Sequence, residues 1–392
     1  MPSSMNRRNW IRTSALIASG ATVGAGLVSN TALGAPFPHR VLERNAIKPE
    51  ELPKLKARLL ANENPFGPSA STQKAIMDAV STGNRYGHQQ AHDLMEQIAE
   101  KEGVTKDHIM MGPGSTDLLE KTAIVTCMKG GNVVAAHPSY MSLINTAEKM
   151  GASWKSIPLT RDHAHDLDGM EAAVDRNTKL VYVCNPNNPT GSLTDAKKLS
   201  KFCRSVSKKT PIFVDEAYME FLFDDMQSSM VNLVKEGEDV IISRTFSKIH
   251  GMAGLRVGYI VAKPERIAAL NSMVRGTMGL CVTSLMGAQA SLKDTDFHQM
   301  TREKTREARE FTFQALKSMD MDYIPSHTSF VIFPLSMPGQ KYRQKMMDRG
   351  VGIRVYDIDG KPWGRVSMGT MEEMKLFADA TKQVISKVSS LD

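Results

Sequence analysis

Cysteine is scarce: four in 392 residues, Cys127, Cys184, Cys203 and Cys281, with no CxxC or metal-like spacing. That excludes a disulfide scaffold and a zinc ribbon, and predicts free, mostly buried thiols. The chain also lacks a low-complexity tract, a fixed-period repeat and a long basic block. Solenoids, disordered chains and nucleic-acid modules are thereby excluded. The glycine-rich turn "GPGSTD", Gly112 to Asp117, lacks the third glycine of a dinucleotide-binding fingerprint. What remains is 41% hydrophobic and 23% charged, the composition of a folded chain long enough for two domains. The 26 methionines are scattered, as fillers of core gaps are.

The first 35 residues differ in kind. Arg7, Arg8 and Arg12 precede an uncharged run from Thr13 to Ala35, with small residues at Ala32 and Gly34 before Pro36. This layout predicts an export signal, and the adjacent arginines followed by Trp10 and Ile11 resemble the twin-arginine class. A basic tail beside a buried or membrane-spanning helix is the alternative. The run is rich in Gly, Ala, Ser and Thr, a poor permanent anchor.

From Asp107 onward, short β-branched runs alternate with helical stretches. "HIMM", "NVVAA", "LVYVC", "IFVDEA" and "DVIIS" are nearly continuous apolar strands. Such strands belong to a mostly parallel sheet covered on both faces, so the fold class is α/β. After Thr283 the segment "LKDTDFHQMTREKTREAREFTFQALKSM" reads as one helix. Strands at "SFVIFPL" and "VGIRVY" and a helix near Glu372 follow, a smaller α+β domain. The expected division is 1–35 signal, 36–71 arm, 72–283 large domain and 284–392 small domain.

Ligands of open α/β sheets bind beyond the carboxyl ends of the strands. There Gly114, Ser115 and Thr116 open a helix whose N-terminus suits an anion, although simple capping explains them equally well. "NPNNPTG", Asn185 to Gly191, makes a polar turn. Asp215 and Glu216 end a buried strand and need a cation. "RTFSKIHGMAGLRVGY", Arg244 to Tyr259, adds Lys248 and Arg256. An amide, carboxylates, a lysine, an arginine and an anion-binding turn at one sheet edge are more than a core requires.

These stretches, with "NENPFGPS" at Asn62, "RYG" at Arg85, "HPSY" at His137 and "GRVSMGT" at Gly364, resemble the fold-type I pyridoxal-phosphate aminotransferases of class I/II, and among them the histidinol-phosphate aminotransferase group. The resemblance implies pyridoxal 5'-phosphate as cofactor and an amino donor with a 2-oxo acid as substrates. It gives Lys248 the Schiff base and the proton transfer, and pairs Asp215 with the pyridine nitrogen. It sets Asn188 and Tyr218 at the ring hydroxyl and Tyr140 on the ring face. Phosphate contacts would come from Gly114, Ser115, Thr116, Thr245, Ser247 and Arg256, and from Tyr86 of a neighbouring subunit in a homodimer. Arg365 would take the substrate carboxylate, with Arg354 a nearby assistant or a mere surface charge. Asn64 and Ser329 complete the expected substrate contacts.

Two positions depart from the group's usual pattern: Ser329 stands where Asn is common, and Gly87 where Pro is common. Both bear on substrate recognition more than on cofactor chemistry. The primary expectation is therefore an exported, periplasmic aminotransferase acting by a ping-pong route, with the twin-arginine translocase as a transient partner and no nucleic acid or metal. The alternatives are a decarboxylase or lyase on the same scaffold, histidinol-phosphate aminotransferase proper, and a solute-binding protein without chemistry.

Overall fold

The computed structural model describes residues 55–223 and 228–386. The expected signal and most of the expected arm lie outside them. Twelve strands are numbered in chain order: β1 Ala57–Arg58, β2 Ile109–Gly112, β3 Gly131–His137, β4 Ala152–Pro158, β5 Thr178–Cys184, β6 Ile212–Asp215, β7 Val240–Thr245, β8 Gly258–Val261, β9 Phe330–Pro334, β10 Val351–Gly352, β11 Arg354–Ile358 and β12 Lys361–Ser367.

Seven of them form one sheet in the order β2-β8-β7-β6-β5-β3-β4. β8 pairs antiparallel with both β2 and β7, whereas the other pairings are parallel. Only β8 therefore runs against the rest, and its amino end lies at the edge where its neighbours have their carboxyl ends. The period-two pleat sorts the strand residues onto two cores. Val134, Val181, Val183, Val214 and Ile242 pack into one, and Val133, Leu180, Tyr182, Phe213 and Ile241 into the other. Helices cover both faces, as near-continuous apolar strands demand.

β4 and β8 escape the apolar-run reading. "ASWKSIP" is an edge strand with polar positions, and "GYIV" lies hidden in the glycine-rich motif. The expected single helix from Leu292 to Met319 is two. α1 (Val282–Lys293) packs against the first core through Leu285 and Ala288, and α2 (Thr295–Ser318) follows after Asp294. Asp294 caps α2 by accepting from the Phe297 N–H at 3.2 Å, which is why the helical pattern restarts there.

A smaller sheet, β11-β12-β9, packs its own core around Val331, Phe333, Val366 and Phe377. Ala57 and Leu59 are buried in that core, and β1 pairs with β10. This end of the expected arm is thus core. β12, which carries Arg365, also went unrecognised in the sequence because "KPWGRVS" alternates no apolar face. Three of the four cysteines are buried, Cys281 is exposed, and all are free.

Candidate active site

One edge of the seven-stranded sheet gathers the polar residues. Asp215 ends β6, Lys248 follows β7, the Asn185–Gly191 turn follows β5, Tyr140 follows β3, and Ser115 opens the helix after β2. Arg256 precedes β8 and reaches the same edge because that strand runs backwards.

Asp215 is buried, and among the described residues it forms no ion pair. Its Oδ1 accepts from Ser243 Oγ at 2.8 Å and from the Ala217 N–H at 3.2 Å, and Oδ2 accepts from Tyr182 OH at 3.4 Å. Ser243 is its register partner on β7. Burial pushes the Asp215 carboxyl up, against those hydrogen bonds. A carboxylate so placed favours a ligand that brings positive charge. Glu216 beside it is different, for Arg244 lies 3.1 Å away and satisfies it inside the core.

Lys248 is partly buried, with Nζ donating to Asn62 O at 3.0 Å and Ala61 O at 3.4 Å, 5.5 Å from the Tyr218 ring centroid. Burial first, then Arg365, brings its pKa down to about 8. A substantial neutral fraction is available near pH 8, and the neutral amine is the nucleophile. Tyr218 OH accepts from Asn62 Nδ2 at 2.9 Å, and burial holds that phenol well above its ordinary range.

The anion cradle is a shape as well as a charge. Gly114 has φ +89°, and a Cβ there would collide with the Arg256 guanidinium. A Cβ on Gly258 would collide with the Ser115 backbone nitrogen. Arg256, itself left-handed at φ 54°, donates to Ser247 Oγ at 3.1 Å and Pro113 O at 3.2 Å. Thr116 Oγ1 lies 3.1 Å from Tyr140 OH, so the helix start and the aromatic face are joined. Burial raises the Tyr140 pKa. Thr245 Oγ1 accepts from the Ser247 N–H at 3.1 Å, and its own proton remains available to a ligand.

Of the three asparagines in the polar turn, Asn185 accepts from the Thr194 N–H at 2.8 Å and Asn187 donates to Thr190 Oγ1 at 2.8 Å. Both are spent on the turn. Asn188 alone faces outward, accepting from Arg365 Nη1 at 2.7 Å, which leaves its N–H pair for a ligand. Arg365 is buried, with its guanidinium 5.1 Å from the Phe330 ring and 5.3 Å from the Tyr356 ring. Its Nε has no hydrogen-bond partner among the described residues, and neither has Ser329 Oγ nearby on the chain before β9. Arg354 is exposed on β11.

Two expected residues stand elsewhere. Asn64 does not present its amide to a ligand: Nδ2 donates to Ile249 O at 2.9 Å, and Oδ1 accepts from the Phe66 N–H at 3.0 Å, both holding the loop. Its neighbour Asn62, buried and touching Lys248 and Tyr218, is the residue the sequence reading missed. It sits in the same "NENP" motif, whose two asparagines cannot be told apart by spacing. Tyr86 is 84% exposed and, among the described residues, makes no hydrogen bond to another site residue.

An anion cradle, a carboxylate without an ion-pair partner among the described residues and an amine whose pKa burial lowers, along one edge, fit an anionic, aromatic cofactor with a basic ring nitrogen. Comparison with known proteins points the same way. The histidinol-phosphate aminotransferase of Moorella thermoacetica is 33% identical over 331 residues, covering 84% of this chain and 85% of that protein. Histidinol-phosphate aminotransferase 2 of Carboxydothermus hydrogenoformans is 35% identical over 331 residues, 84% of this chain and 91% of that protein. The solved histidinol-phosphate aminotransferase of Sinorhizobium meliloti, in complex with pyridoxal-5'-phosphate, superposes with a TM-score of 0.78 at 28% identity, covering 90% of this chain and 99% of that one. The family described as aminotransferase class I and II matches residues 55–380, and the chain belongs to it.

Proposed function

We propose that this enzyme uses pyridoxal 5'-phosphate to move an amino group from an L-amino acid to a 2-oxo acid, with Lys248 as the covalent anchor and proton carrier. The observation that carries the reading is the pairing of Lys248, an amine brought down to about 8, with Asp215, a buried carboxylate that forms no ion pair among the described residues. When bound, the cofactor supplies an aldehyde that takes up the amino group and a ring that accepts electrons from the substrate α-carbon.

The chain's residues do the rest. Ser115, Thr116, Ser247 and Arg256 offer backbone and side-chain donors to a phosphate, with Gly114 giving the space. Asp215 stabilises a protonated ring nitrogen, each pKa unit of that bias being worth about 1.4 kcal/mol. Asn188 and Tyr218, whose oxygens accept from Arg365 and Asn62, would offer their own protons to a ring hydroxyl. Arg365, whose Nε has no partner among the described residues and which has two aromatic faces around it, takes the substrate carboxylate. Lys248, once its amine is free, carries the proton from the α-carbon.

Tyr86, 84% exposed, supports a homodimer in which it reaches the partner's phosphate site. Arg7, Arg8 and the uncharged run to Ala35 support export to the periplasm by the twin-arginine route. Ser329, with its unpartnered hydroxyl, supports a substrate whose recognition departs from that of the histidinol-phosphate enzymes.

The test is a screen of amino donors with the holoenzyme, measuring the 2-oxo acid and CO2 formed. Equal amounts of donor consumed and 2-oxo acid formed are expected; CO2 released in step with donor consumption would replace transamination by decarboxylation. Turnover confined to histidinol phosphate would make it the substrate.

A further inference from the structure

Residues 59–64 cross the site as a strap whose polar atoms meet two of its cationic groups, Lys248 and Arg365. Leu59 is tied on both sides, donating to Gly352 O at 2.8 Å and accepting from the Ser367 N–H at 2.9 Å. The next three carbonyls turn inward. Leu60 O accepts from Arg365 Nη2 at 3.3 Å, and Ala61 O and Asn62 O share Lys248 Nζ.

At Asn62 the backbone is left-handed, φ 54°, a conformation asparagine tolerates better than most residues with a Cβ. The turn sends its side chain inward, where it is 2% exposed. Ser367 closes a ring with it: the Asn62 N–H donates to Ser367 Oγ at 2.8 Å, and that hydroxyl donates to Asn62 Oδ1 at 2.9 Å. With its oxygen so held, the amide must present Nδ2 to Tyr218 OH, 2.9 Å away. The phenol oxygen accepts there, and its own proton is left to be donated into the site.

We propose that Asn62 is a positioning residue for the reaction, fixing the direction of the Tyr218 hydroxyl and giving the free Lys248 amine an uncharged acceptor. The proposal rests on the functional reading above. A residue that served only the turn would need no amide, since glycine takes this conformation at no cost. Neutrality matters as well. The charged groups that act on Lys248 are Arg365 and Arg256, which lower its pKa, and Glu63 and Asp215, which raise it. Glu63 is held by Arg58 through two contacts of 2.9 Å. Docking on carbonyls adds no further charge to that balance, so the amine stays easy to deprotonate.

Two substitutions separate the roles. Asn62→Asp keeps size, turn and the Ser367 contact, but brings a negative charge beside Lys248 and accepts from Tyr218 in place of donating to it. Asn62→Gly keeps the turn and the backbone carbonyl but removes the amide. In the cofactor-free protein, the rate of Lys248 acylation, read by peptide mass spectrometry, is expected to rise through pH about 8 in the wild type. Its midpoint should move up by about one unit in Asn62→Asp. In the holoenzyme, Asn62→Gly should lower kcat roughly tenfold, the effect of one hydrogen bond, with KM for the amino donor little changed.

An unmoved midpoint in Asn62→Asp, or wild-type kcat in Asn62→Gly, would overturn the proposal. If either Asn62 variant fails to fold, Ser367→Ala, which frees the amide to rotate, decides: reduced kcat at unchanged thermal midpoint supports it, and wild-type kcat overturns it. The acylation titration needs no cofactor, so a wild type that failed to bind pyridoxal phosphate would sink the functional reading and leave this one still judged.

Discussion

Arg365 on β12 donates to Asn188 across 2.7 Å, joining the smaller sheet to the carboxyl edge of the larger one over 177 positions of sequence. The contact orients the guanidinium between Phe330 and Tyr356, with Nε unengaged among the described residues. Arg365→Lys retains the charge but loses the planar fork that suits a carboxylate. It should lower kcat/KM for the amino donor by roughly 10- to 100-fold, mostly through KM, as the loss of a charge-assisted hydrogen bond does. Steady-state kinetics with the cofactor affinity measured in parallel checks this, since cofactor binding should hold.

Lys248→Ala should abolish covalent capture of the cofactor. Borohydride treatment of the wild type should leave a stable adduct on the peptide containing Lys248, and none on that peptide of the variant. An adduct on a different lysine in the wild type would displace Lys248 from its role.

The same lysine makes stability depend on pH in a defined direction. Its folded pKa of about 8 lies below the ordinary 10.5, so the unfolded chain binds more protons between those values. Stability from this group therefore rises with pH across that window, and the cost of burying the ammonium is fully present below about pH 8. In cofactor-free protein, urea unfolding of the wild type and Lys248→Met should diverge below pH 8, the variant being the more stable. The gap should narrow as pH climbs toward 10.5.

Asp215→Asn should leave the fold intact, because Asn can still accept from Ser243 and from the Ala217 N–H. It removes the charge that favours a protonated ring nitrogen. A loss of two to three pKa units of bias corresponds to about 3–4 kcal/mol, so kcat should fall roughly 100- to 1,000-fold. Cofactor absorbance and turnover measured on one preparation would test it; unimpaired turnover would remove Asp215 from the chemistry.

Arg244 predicts a stability effect. It is buried between Glu216 at 3.1 Å and Glu102 at 3.8 Å. Arg244→Ala leaves two buried carboxylates without their cation and should cost about 3–5 kcal/mol in urea unfolding. Adding Glu102→Gln and Glu216→Gln should recover part of that loss, a result that a pure cavity effect would not give.

Much of this was legible in order and type. Five apolar runs became strands because a strand buried on both faces needs no polar alternation, and the motifs after them fell at one edge because parallel strands end on one side. Local pattern could not show which polar residues were spent on the turn and which were left facing a ligand. Asn185, Asn187 and Asn188 read alike in sequence, yet two cap the turn and one meets Arg365. Asn62 and Asn64 differ in the same way.

The sequence by itself determined the α/β class, the chemistry-bearing residue types and their succession, because apolar periodicity and the demands of glycine, proline and buried charge act over a few neighbours. Only the tertiary structure decided that β8 runs backwards to bring Arg256 to the site edge, that Ala57 and Leu59 of the expected arm are core, and that Asn62 meets Lys248 and Tyr218. Those outcomes depend on hydrogen bonds and packing between segments far apart in the chain, where the partner of each donor is set by the whole fold.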